Sequence, residues 1–163
     1  MSGMHIFEIA LLVAVIFFVG RSFYIESHHK KKGPYIKIGV YSGAAIFNVM
    51  LVLFILVAGM ISIKNSGGTL LDVSSIYILI PILFIIYQTV LSLRFTFCQD
   101  GVCYLGQFYS YKQLKTVQIV PVKDKFNVII FTNKATLSFK VNKNNKFLVE
   151  EAFKKYRIKI TKL

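Results

Sequence analysis

Tryptophan is missing from this sequence, cysteine occurs twice, proline three times, and seven acidic residues stand against 20 Lys and Arg. Each shortage closes off a class of protein. Two cysteines cannot build a disulfide-stapled scaffold. Without tryptophan, the basic surface has no indole to insert into a bilayer. The acids are scattered, with no pair placed for acid–base work, and His5, His28 and His29 all lie in the first 29 positions. The C-terminal half therefore has no imidazole to act as a general base. It contains no G-x-S-x-G, no phosphate-binding Gly-rich loop and no H-E-x-x-H, the motifs that place a nucleophile, a phosphate or a zinc ion. Cys103 has no sequence neighbour that would lower its pKa. The expectation is a protein that is not an enzyme and uses no cofactor.

What the sequence has instead is apolar length. Three runs, at 6–20, 38–63 and 76–93, fill most of the first 97 positions. A hydrocarbon core of ~30 Å needs about 20 helical residues. With their flanks, the runs predict membrane-spanning helices over about 5–24, 38–63 and 76–94. No Lys or Arg precedes the first run and Glu8 sits at its start, so a retained helix is expected there rather than a cleaved signal.

Charge sets the expected orientation. Arg21, Lys30, Lys31, Lys32 and Lys37 follow the first run, whereas 64–75 carries one Lys and one Asp. Short loops rich in Lys and Arg stay on the cytoplasmic side, which predicts the N-terminus outside and the chain after Arg94 inside the cell membrane. From Cys98 onward, 12 Lys and one Arg against four acids give +9. That surplus fits a cytoplasm-facing surface or attraction to anionic lipid headgroups; nucleic acid is not expected as a partner. His28 and His29 have no nearby carboxylate or thiol to complete a tetrahedral metal site, so no metal is expected. They read as part of a solvated basic loop in which Lys30, Lys31 and Lys32 touch headgroups.

Polar residues in the spans are few. Asn48 and Gln88 are candidates for interhelical hydrogen bonds, and Gly39 with Gly43, extended by Ala44, forms a small-xxx-small pair that invites close helix approach and homo-oligomer formation. Pro81 falls inside the third span. None of the three spans has an Asp, Glu, Lys or Arg near its centre, which argues against an ion-coupled transporter or pump.

From Phe95 the apolar pattern alternates, and residues 95–163 predict a small β domain. Asp100-Gly101 reads as a two-residue hairpin turn, placing Cys98 opposite Cys103. Further strands are expected at 102–105, 108–111, 117–122 and 126–132, and the strand after Asn133-Lys134 should point Ala135, Leu137, Phe139 and Val141 inward. That makes six strands. An amphipathic helix over about 146–157, capped by Asn145 and striped by Leu148, Ala152 and Tyr156, would close the domain. The fold class is α+β: three transmembrane helices, then a small antiparallel sheet or partial barrel with a terminal helix.

The segment 95–102, then Gly106, then Tyr109-Ser110-Tyr111-Lys112-Gln113-Leu114 leading into Val117-Gln118-Ile119, two more strands and a closing helix, resembles bacterial PH-like domains that follow transmembrane helices. Two features depart from that pattern: six strands rather than seven, and Tyr rather than Trp after Gly106. The resemblance implies a binding or scaffolding module without catalytic residues. Three functions stay open: a membrane-anchored binding or regulatory protein acting at the inner surface, an accessory subunit meeting an unknown protein partner, and an immunity protein against a membrane-active peptide.

Overall fold

The computed structural model describes residues 2–66 and 73–162. Half of the expected outer loop at 64–75, residues 67–72, thus lies outside the described residues. Helix α1 spans Ser2–Lys31, α2 Gly43–Ser66, α3 Val73–Ser92 and α4 Lys143–Lys155. Within them, Ile9–Lys31 and Gly43–Asn65 are long and apolar enough to cross a membrane, and Leu79–Ser92 is a shorter apolar stretch.

Helix α1 runs about two turns beyond its expected end. The next breakers are Gly33 and Pro34, the Glu26–Lys30 pair spans i,i+4, and His28, His29, Lys30 and Lys31 sit where the last-turn dipole favours cations. At 1.5 Å per residue its 30 residues reach about 45 Å, well beyond a hydrocarbon core. The basic segment is therefore helical rather than a loop.

The second expected span began at residue 38, and here the structure differs. Ile36–Gly39 is strand β1, paired antiparallel with β2 (Arg94–Phe97) in the register Ile36↔Phe97, Lys37↔Thr96, Ile38↔Phe95, Gly39↔Arg94. Pro34 biases the residue before it toward extended backbone, and the β-branched Ile36 and Ile38 suit a strand. Helix α2 starts only at Gly43, where Ser42 Oγ accepts from the Ala44 amide at 3.2 Å. Gly39 and Gly43 therefore do not share a helix, and the small-xxx-small pair does not form. Helix α3 continues through Pro81 and passes directly into β2, with Leu93 N donating to Thr89 O at 3.2 Å.

Strands β3 (Gly101–Tyr104) and β4 (Gln107–Ser110) complete an antiparallel sheet of order β1-β2-β3-β4. After a short 3-10 turn, β5 (Leu114–Val122), β6 (Lys125–Thr132), β7 (Thr136–Val141) and β8 (Lys159–Lys162) form a second sheet of order β7-β6-β5-β8. Strand β8 lies parallel to β5. The described residues thus hold eight strands, not six, the additions being β1 and β8.

Between the sheets lies a core that α4 closes. Phe95 of β2 packs on Phe139 of β7, ring centroids 4.6 Å apart, and Phe97 packs on Phe153 of α4 at 5.2 Å. Leu137, Phe139 and Val141 point inward as their alternation predicts, while Ala135 precedes the strand and is exposed. The cap of α4 is Asn142, whose side chain accepts from the Asn145 amide at 2.8 Å. Its buried stripe centres on Val149, Ala152 and Phe153, and Leu148 is exposed. Asn145 instead donates its side-chain amide to Gly39 O at 2.8 Å, tying α4 to β1.

Candidate functional site

The last turns of α1, the start of α2 and the end of α3 all meet the β domain, and the structure concentrates chemistry at this junction. On the outer face of the first sheet, Thr96, Cys98 and Cys103 are buried. The hairpin β3–β4 turns at Gly106 (φ +71°), where an added Cβ would sit 2.8 Å from Ser22 Cβ of α1 and 3.3 Å from Leu91 of α3. Only glycine suits both that backbone region and that approach. Further along α1, His29 stacks on Phe108 (centroids 3.5 Å apart, planes 6° apart). Asp100 Oδ2 accepts from His29 Nδ1 at 2.9 Å and from Lys32 Nζ at 3.0 Å. Burial works to raise the Asp100 carboxyl, but the hydrogen bonds from Lys32 and His29 and their positive fields outweigh it and hold it below the ordinary carboxylate value.

Between the C-terminal ends of α1 and α3 and the first two strands opens a cavity of about 430 Å³. Four cations line it: Lys30 and Lys31 from α1, Lys37 from β1 and Arg94 from β2. Glu26 is the one acid in the lining, and it pairs with Lys30 on its own helix. Lys30 also lies 5.2 Å from the centroid of the Tyr35 ring. The register explains the convergence: Lys37 opposes Thr96, so Lys37 and Arg94 stand diagonally on one face of adjacent strands. Burial, then the positive fields of Arg94 and Lys30, hold the Lys37 ammonium below its ordinary value, and Glu26 works the other way. A lysine in that state has more like charge around it than opposite charge.

A second cavity of about 550 Å³ lies between the start of α2 and the β5–β6 turn, with Tyr41, Lys123, Lys125 and Lys140 in its wall. Lys125 Nζ sits 3.4 Å over the Tyr41 ring, and Asp124 belongs to the same wall, so this lining is partly neutralised.

The sequence-predicted residues fall unequally. Lys30 and Lys31 line the first cavity, whereas Lys32 turns to Asp100. Asn48 and Gln88 are half-buried, and neither makes a hydrogen bond across helices to a described residue. Gly39 accepts from Asn145, and Gly43 opens α2. The hairpin register is two residues off the expected one, with the turn at Gln99-Asp100 rather than Asp100-Gly101: Cys98 N donates to Gly101 O at 2.8 Å and Cys103 opposes Thr96. The cysteines are diagonal neighbours, both free. The hydrogen bond to Cys98, and then burial, push the Cys103 thiol up, away from nucleophilic reactivity.

Lys37 and Arg94 were not legible as site residues, although the alternation Ile36-Lys37-Ile38 after Gly33-Pro34 is a strand signal that would have placed them. Among the described residues no group of three or more His, Cys, Asp or Glu is arranged to hold a metal. No protein-family model matches the chain. No curated protein matches it either, so the chemistry of this junction is argued from its own residues.

Proposed function

We propose that this chain is a multi-pass membrane protein without enzymatic activity, in which α1, α2 and α3 cross the cell membrane and a PH-like β domain works as a binding or scaffolding module at the inner surface. The observation that carries the reading is the junction itself. One end of each long helix meets the β domain, and Lys30, Lys31, Lys37 and Arg94 gather at that end, where the positive-inside tendency puts cations. The PH-like reading gains from β1, which adds to the first sheet a strand that the chain after residue 94 does not supply. Because β1 lies between two spans, the module is held against the bilayer rather than hung on a linker.

Labelling with a membrane-impermeant maleimide tests this. Ser2→Cys is expected to react in cells with intact plasma membranes, and Lys134→Cys, at the exposed β6–β7 turn, only after permeabilisation. The opposite pattern, or extraction of the protein by alkaline carbonate, overturns the reading.

A further inference from the structure

The cavity at the inner ends of α1 and α3 has more positive charge than its own residues neutralise. Glu26 is committed to Lys30, and Lys31, Lys37 and Arg94 have no acidic partner among the described residues. Gathering like charges costs free energy, most where water is partly excluded, so such a cluster is stabilised by an anion that enters it. Lys37 and Arg94 occupy diagonal positions on paired strands, a spacing of roughly 7–8 Å. Two cations so placed reach one phosphate from both sides, and the planar fork of Arg94 suits two of its oxygens.

The rest of the wall says where that phosphate comes from. Phe23 of α1 and Val90 and Leu91 of α3 add an apolar side to a lining that also includes Ser27, Tyr35 and Tyr87; Phe23 is exposed, and so is Ile16, two turns earlier on the same face of α1. A soluble phosphate has no use for an apolar wall. A phospholipid does, because its acyl chains continue along the helices from the point where its headgroup is held. Basic pockets between helices at the cytoplasmic face are suited to such headgroups.

We propose that this cavity holds the phosphate of an anionic phospholipid of the inner leaflet, with Lys37 and Arg94 as its direct ligands and Lys31 at the rim. The proposal rests on the membrane-anchored reading above and adds to it a ligand class and a place. It differs from diffuse attraction between a basic domain and an anionic surface, since it assigns selectivity to a few side chains.

The full-length protein, purified in mild detergent from a mixture of phosphatidylglycerol and phosphatidylcholine, is assayed for retained lipid by native mass spectrometry. The wild type is expected to keep phosphatidylglycerol in preference to phosphatidylcholine, at low salt and at 0.5 M NaCl alike. Lys37→Gln with Arg94→Gln is expected to lower that preference about tenfold, whereas Lys134→Gln with Lys143→Gln, an equal loss of charge at exposed sites, leaves it unchanged. Glu26→Gln removes the one competing acid and is expected to raise retention about threefold, an increase that misfolding does not produce.

Equal losses in both double variants, or a preference that vanishes at 0.5 M NaCl, overturn the proposal in favour of general charge attraction. Displacement of the lipid by millimolar inorganic phosphate overturns the lipid source. Carbonate extraction of the wild type separates the two readings. A protein that stays in the membrane but shows no lipid preference refutes the headgroup site alone, and a protein that is extracted refutes the membrane reading beneath it.

Discussion

Tyr41 and Lys140 exchange both of their backbone hydrogen bonds, Tyr41 N to Lys140 O at 2.7 Å and Lys140 N to Tyr41 O at 2.8 Å. One residue earlier, Val40 N donates to Leu93 O at 3.0 Å, and β1 pairs with β2 before that. A six-residue stretch between α1 and α2 thus bonds the first sheet along most of its length and the second at its end.

The residues after Phe95 should accordingly not fold well when cut away. Without β1, strand β2 becomes an open edge over Phe95 and Phe97, the kind of edge that aggregates. Residues 95–163 expressed alone are expected to aggregate, and fusion of residues 34–41 at a permuted terminus is expected to restore a monodisperse domain. Size-exclusion chromatography of the two forms checks this. In the full chain, Ile38→Ala, at a position only 3% exposed, should cost about 2–5 kcal/mol.

The contact of Asp100 with His29 and Lys32 carries a pH signature. Its carboxyl is lowered in the folded protein, so the Lys32 ion pair and the His29 hydrogen bond contribute above the ordinary carboxylate pKa, about 3.9, and are lost as pH falls through the lower folded value. Both side chains of the Lys32 pair are partly exposed, which limits the contribution to about 1 kcal/mol. Asp100→Asn should be less stable than the wild type at pH 6, with the difference shrinking toward zero in strong acid. Chemical unfolding at a series of pH values measures it.

Gly106→Ala meets two obstacles, the positive φ and the side chain of Ser22. A loss of about 1–3 kcal/mol is expected. If the turn retreats from α1, hydrogen exchange should quicken in β3 and β4 before it does in the second sheet. Unchanged exchange there would show that the turn does not rest on the helix.

The two thiols should stay reduced, with Cys103 the slower to react, since the hydrogen bond between them lowers the Cys98 thiol and raises the Cys103 thiol. They are buried on the face that α1 covers, and the cytoplasmic placement proposed for the domain keeps such pairs reduced. Labelling is expected only after permeabilisation and partial unfolding. A disulfide between Cys98 and Cys103 in freshly isolated protein would contradict the orientation.

Asn48→Leu offers a contrast. With no cross-helix hydrogen bond to lose among the described residues, its effect on stability should lie well below the ~0.6 kcal/mol typical of such bonds. A clear loss in a helix-dissociation assay would mean that another chain supplies the partner.

The elements that could be read from sequence are those whose signal is local and long. Strands β5, β6 and β7 alternate over several residues, and α4 shows its apolar stripe, though Asn142 rather than Asn145 caps it because its side chain reaches the free amide of Asn145. Strand β1 was hidden because Ile36-Lys37-Ile38-Gly39 runs without a break into the apolar stretch of α2, and its partner lies more than fifty residues away. Strand β8 has four residues and a parallel pairing with β5, neither of which leaves a periodic mark. Asp100-Gly101 looks like a turn, yet Gly101 belongs to β3; a Cβ there would meet the Phe108 ring at 2.6 Å. The cationic cavity was invisible for the same reason as β1, since register alone puts Lys37 beside Arg94.

The position of β1 also imposes an order on biosynthesis. Ile36–Gly39 leaves the ribosome before α2 and α3 are made, and its partner Arg94–Phe97 follows only when both helices are complete. At ~5–20 residues per second the early strand waits for seconds, and the first sheet has no means of closing sooner. The finished domain therefore requires that both preceding helices have been synthesised: a chain stalled between them leaves Ile38 and Val40 without the core that covers them.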